Sequence, residues 1–248
     1  MREVGLQFRD AVSAEFAKLH TLPAIRICAL ATVIACAAIA AGLAFSGDGT
    51  APTAEEAVLF AVPFVQACFV LLGVLPMTHE GDGGQLRTSL SAVPGRTTFV
   101  LAKTTATAAL LALTAAVAMG ASIAAALVAS AWAAGGTPSE GPDTVGRDGS
   151  ALAGAAAYLA LIGLFAHATA LLLRRFVPAL VSVLVLVLLL PPFLSVSEHA
   201  RWLPSRAGEL LYTGSDPVLT AATGALVVAG WIAVVGTAGL AALRLRDP

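Results

Sequence analysis

Several residue arrangements in this chain approach a catalytic or phosphate-binding pattern, and each lacks one member. His79–Glu80 opens the zinc-protease pattern HExxH, whose two histidines hold the metal from one helix face, but Gly83 stands where the second must be. Glu55–Glu56 begins a paired-glutamate motif used by one class of intramembrane protease, and no Arg follows at the needed spacing. A G-x-S-G serine turn fails because Ala44 precedes Phe45–Ser46–Gly47. Lys103–Thr104 ends like a phosphate-binding loop, yet Ala102 replaces the glycine whose backbone must approach the phosphate. His79, His167 and His199 fall at the end of an apolar stretch, inside one and outside all of them, so an intramembrane enzyme built on them has no point of convergence.

The elements that must carry these residues are six apolar stretches, 27–46, 57–77, 104–133, 151–173, 177–194 and 218–243, with no Asp, Glu, Lys or Arg inside any of them. About 20 apolar residues rising 1.5 Å each cross a hydrocarbon core of roughly 30 Å. The pattern therefore predicts an all-α membrane protein with six transmembrane helices and a single domain over 1–248. A soluble fold is excluded by composition, since 58% hydrophobic against 12% charged residues leaves too little polar surface. The first span follows some 25 residues that include acids, unlike a cleavable signal peptide. Cys28, Cys36 and Cys68 lie in or beside the first two spans and read as small packing residues.

Charge sets the expected orientation, because Lys and Arg are retained on the cytoplasmic side. Eleven of the 14 basic residues fall on the side of the termini: Arg2, Arg9, Lys18, Arg26, Arg87, Arg96, Lys103, Arg174, Arg175, Arg244 and Arg246. The other side holds Arg147, Arg201 and Arg206 against nine acids. Both termini are predicted to be cytoplasmic, in a multi-pass protein of the cell membrane.

Residues 1–25 place Val4, Phe8, Val12, Phe16 and Leu19 on one stripe, which predicts an interfacial amphipathic helix. Pro63 should kink the second span, and Gly73 and Pro76 bring it to its end. In the loop 78–98, Leu86, Leu90 and Val93 recur at helical spacing before Pro94, predicting a short helix over 85–93 along the cytoplasmic face. The third stretch is long enough that it must tilt, project or break near Gly120. Only Arg174–Arg175 separate the fourth and fifth spans, so these pair antiparallel. The segment 195–217 mixes Trp202, Leu203, Leu210, Leu211 and Tyr212 with charges and predicts short external helices before the last span.

Inside the apolar stretches only Gln66 and His167 stand out. Gln66 reads as an interhelical hydrogen-bond partner or as a substrate ligand. His167, two turns from Arg174, reads as a packing histidine or as a proton relay. No intramembrane carboxylate is present to couple transport to protons, so a transporter of this kind needs energy from a separate ATPase subunit.

Together these features resemble the permease subunits of ABC transporters, in the type-2 exporter family that includes many drug and antibiotic efflux systems. The likeness rests on Glu80 to Arg96, E-G-D-G-G-Q-L-R-T-S-L-S-A-V-P-G-R, and the trailing Ala102–Lys103, which resemble the family's acid–Gly–x–Arg–Thr–x–Leu–x–x–x–Pro–x–Arg pattern with its Ala-Lys. Ser13 to Leu19 is similar to the family's amphipathic leading helix, and Leu203–Pro204–Ser205 with Gly208 looks like its external segment. The chain departs from the pattern at Gly81–Gly84, where an aromatic and fewer glycines are common. The resemblance implies that the helix between spans two and three docks in a groove on the ATPase, with Glu80, Arg87, Leu86, Leu90, Pro94 and Arg96 as coupling residues. It also implies ATP and Mg on that partner with no cofactor on this chain, a second permease copy, the lipid bilayer as surroundings, no nucleic acid, and an amphiphilic substrate moved outward. The competing reading is a non-transporting polytopic component, such as an assembly, sensor or immunity protein, distinguished by whether an ATPase is encoded beside it.

Overall fold

The computed structural model describes residues 2–45, 52–82, 95–133, 149–194, 197–214 and 216–245. These form helices α1 (Arg2–Thr21), α2 (Pro23–Phe45), α3 (Ala54–Asp82), α4 (Arg96–Ala133), α5 (Gly149–Leu173), α6 (Phe176–Phe193), a short 3-10 turn (Glu198–Trp202), α7 (Pro204–Thr213) and α8 (Ala221–Leu245). No strand occurs among the described residues. Six of the helices, α2, α3, α4, α5, α6 and α8, are long and apolar enough to cross a membrane. The protein is thus an all-α polytopic membrane protein. α5 and α3 form the centre of the bundle, with 61% and 56% of their apolar windows buried, whereas α8 at 17% lies on its edge.

The helix starts follow local chemistry. Thr53 and Glu56 make a capping box at the head of α3: the Glu56 N–H donates to Thr53 Oγ1 (3.2 Å), and the Thr53 N–H donates to Glu56 Oε2 (2.9 Å). Thr220 and Thr223 do the same for α8. α5 ends at Arg174, which takes φ +56°, the left-handed conformation that ends many helices and that glycine more often supplies. The chain then enters α6 after two residues, and α6 packs on both α3 and α5.

Close packing at the centre depends on two glycines. A Cβ on Gly73 of α3 would lie 2.0 Å from the Gly163 carbonyl oxygen of α5, so only bare backbone lets these helices meet. Gly73 and Pro76 therefore do not end α3, as the sequence suggested; the helix runs through Pro63 and Pro76 to Asp82. α4 likewise runs unbroken past Gly120 for 38 residues, about 57 Å, so of the three expectations for this segment breaking is excluded. In α6 the backbone widens over Val185–Leu189, where the Leu190 N–H reaches back to the Val185 carbonyl. Pro191 and Pro192 follow at once, and neither can donate to the preceding turn.

α1 forms as expected, and its inward face overlaps the apolar stripe only in part. Of its described side chains the buried ones are Ala11, Glu15 and Leu19, four residues apart. Phe16 of the expected apolar stripe is 42% exposed. In a membrane, lipid can cover an apolar stripe, which frees the protein-facing side to carry a charge if that charge finds a partner.

Candidate functional site

Glu15 has that partner. Lys103, seven residues into α4, donates from Nζ to Glu15 Oε2 at 2.7 Å, with the two side chains 4% and 6% exposed. The second carboxylate oxygen, Oε1, accepts from Lys18 Nζ, also at 2.7 Å, on the solvent-facing side of the same helix. Lys103 Nζ further reaches the Pro76 carbonyl of α3 (3.4 Å) and lies 5.4 Å from the centre of the Phe99 ring. Three elements thus meet on one ammonium: the carboxylate of α1, a carbonyl near the end of α3, and an aromatic face of α4. Burial by itself would raise the Glu15 carboxyl, but the attraction and hydrogen bonds of Lys103 and Lys18 outweigh it and hold it below its ordinary value. Removing one member of such a pair costs about 3–5 kcal/mol where the other charge has no way to leave the buried site.

One residue along α4, Thr104 Oγ1 lies 3.4 Å from His167 Nε2 of α5. His167 is fully buried, and its Nδ1 has no hydrogen-bond partner among the described residues. Glu15, Lys103, Thr104 and His167 therefore string a polar line from the surface helix to the bundle centre.

Gln66 lies elsewhere. Tyr158 of α5 donates its hydroxyl to Gln66 Oε1 of α3 at 2.5 Å, both side chains buried, which makes Gln66 an interhelical hydrogen-bond partner. Tyr158 stacks at 5.5 Å on Tyr212 of α7, and α7 sits over the first turns of α5 and α8. A cavity of about 580 Å³ opens there, lined by Arg201, Arg206, Glu209 and Asp216 among others. Burial raises the Glu209 carboxyl above its ordinary value, with Arg206, 3.3 Å away, pulling the other way.

The six coupling residues expected from the second loop are divided by the structure. Glu80 falls in the last turn of α3 and Arg96 opens α4, while Leu86, Arg87, Leu90 and Pro94, with the helix expected over 85–93, lie outside the described residues. The described ends of that segment flank the Lys103 node. Among the described residues no three His, Cys, Asp or Glu side chains gather to hold a metal, and Cys28, Cys36 and Cys68 are free thiols. The Glu15–Lys103 pair was not foreseen, although a lone lysine just inside an uncharged helix is a signal that an acid must come from elsewhere. No protein-family model matches the chain, and no curated protein matches it either.

Proposed function

We propose that this chain is the membrane-spanning permease subunit of an ATP-driven exporter of the ABC type-2 kind, working as a pair with two separate ATPase chains. The observation that carries this reading is the residue pattern from Glu80 to Arg96 with its trailing Ala102–Lys103. Lys103 gives that pattern a physical role. It ties the foot of α4 to Pro76 and to Glu15, beside the segment that an ATPase would push. The six apolar stretches carry no carboxylate to harvest a proton gradient, which favours an outside energy source. The asymmetry of Lys and Arg supports a cytoplasmic side for both termini and for the Lys103 end. An amphiphilic substrate, such as a drug, antibiotic, lipid or hydrophobic peptide, then crosses between two copies along apolar and small side chains.

The test pairs the purified chain with the ATPase encoded beside it. Alone, the chain should hydrolyse no ATP above a lipid-only control; with its partner, hydrolysis should appear and respond to substrate. Arg87→Glu reverses a charge at the expected contact and Leu90→Asp charges an apolar one, so each should reduce co-purification of the ATPase and abolish transport while the six spans still insert. Unchanged association and transport in both variants would leave the non-transporting reading in its place.

A further inference from the structure

Lys103 is the one charged residue in the 37-residue span Thr97–Ala133. It is buried, and a carboxylate 88 positions away in the chain pairs with it. We infer that Glu15 and Lys103 form a releasable latch that holds α1 against the foot of α4, and that α1 can let go while the six spans remain folded. Four features of the node argue for release rather than a fixed brace.

The grip of α1 uses few large side chains: among the described residues, Ala11 and Leu19 are the ones buried beside the carboxylate. Glu15 has a partner that travels with it, because Lys18 on the same helix already holds its other oxygen and is 40% exposed to water. Lys103 has a route to water as well: it follows Arg96 by seven residues, about 10 Å along the helix, and its four-carbon stem can carry the ammonium toward the interface. Phe16 faces away from the bundle, so α1 keeps its hold on lipid after leaving α4. Opening thus strands neither charge. It uncovers Ala11 and the notch between Pro76 and Lys103, where α3 nears its end and α4 begins. The latch stands on the geometry of the node and holds whether or not the chain is an exporter.

Full-length protein in lipid nanodiscs, with Cys28, Cys36 and Cys68 replaced by Ala and with Ala11→Cys as the reporter, tests it through the rate of reaction with a water-soluble maleimide. Lys103→Glu should raise that rate about tenfold or more, while helical content and the thermal transition stay at the parent's values. Inverting the whole set, Glu15→Lys with Lys18→Glu and Lys103→Glu, rebuilds each pair with opposite sign and should return the rate to within about threefold of the parent. Glu15→Gln keeps the shape and removes the charge, and it decides the matter should Lys103→Glu fail to accumulate: a severalfold faster reaction supports the latch, an unchanged one overturns it. An unchanged rate in Lys103→Glu also overturns it, since the pair would then hold nothing. Loss of the thermal transition in both single variants overturns it too, because the pair would then be a brace for the whole bundle.

Discussion

A methyl group added at Gly73 tests how α3 and α5 meet. The new Cβ of Gly73→Ala would fall 2.0 Å from the Gly163 carbonyl oxygen and 2.8 Å from its carbon. Carbon and oxygen come no closer than about 3.3 Å in the tightest favourable contacts, so the two helices must part locally by about 1.3 Å. A gap of even 0.5–1 Å forfeits roughly a quarter to a half of the dispersion energy of each atom pair. The crossing cannot slide to escape, because Gly163 is also pressed by Leu111 of α4 and by the Phe69 carbonyl. Overpacking of this kind costs about 1–3 kcal/mol. For a chain of this size that is a fall in Tm of about 2–12 °C. Gly120→Ala is the matched control, since nothing lies within 4 Å of its Cβ, and there a better helix former should leave Tm unchanged or slightly raised. Both are read by thermal unfolding in one detergent. Equal Tm values for the two variants would refute the close crossing.

Three further outcomes follow from other parts of the molecule. Tyr158→Phe leaves Gln66 Oε1 without its donor and should cost about 0.6–2 kcal/mol in thermal stability, a loss that the added change Gln66→Leu should partly recover. Glu209 is held above its ordinary value, so the fold prefers it protonated and stability should rise as pH falls through that raised value toward the unfolded one, near 4.3. Glu209→Gln should accordingly raise Tm at pH 7, and its advantage should vanish by about pH 4. For orientation, single cysteines at Gly49, Ser139 and Ser215 should react with an impermeant reagent on intact cells and one at Ser89 should not; labelling at Ser89 would reverse the topology.

The spans were legible because a bilayer demands one thing of a helix, an uncharged run, and the sequence shows it without reference to any partner. Their ends moved by a few residues where side chains cap them, as at Thr53 and Thr220. Side-chain partners were less legible. Gln66 announced a hydrogen bond, yet nothing in its neighbourhood points to Tyr158, 92 residues on. The inward face of α1 was not legible, because apolar periodicity names the side that avoids water, and in a membrane that side can belong to lipid. Gly73 looked like a helix stop because its contact, Gly163, is invisible from local sequence. The widened turn at Val185–Leu189 is the structural counterpart of Pro191–Pro192, whose missing N–H groups act on the turn before them.

The unequal lengths of α4 and α6 bear on the bilayer itself. α6 has 18 residues, about 27 Å, slightly short of a 30 Å hydrocarbon layer. Beyond Lys103 the uncharged part of α4 has 30 residues, about 45 Å, and fitting it wholly inside that layer would take a tilt near 48°, steeper than the roughly 0–40° that spans adopt. No single membrane thickness satisfies both helices. Lipid beside α6 and lipid beside α4 therefore meet helices of different reach, and thinning, tilt or projection has to make up the difference. Such mismatch costs fractions of a kcal/mol per Å, and it ties the posture of α4, and of α2 packed along it, to the chain length of the surrounding lipids.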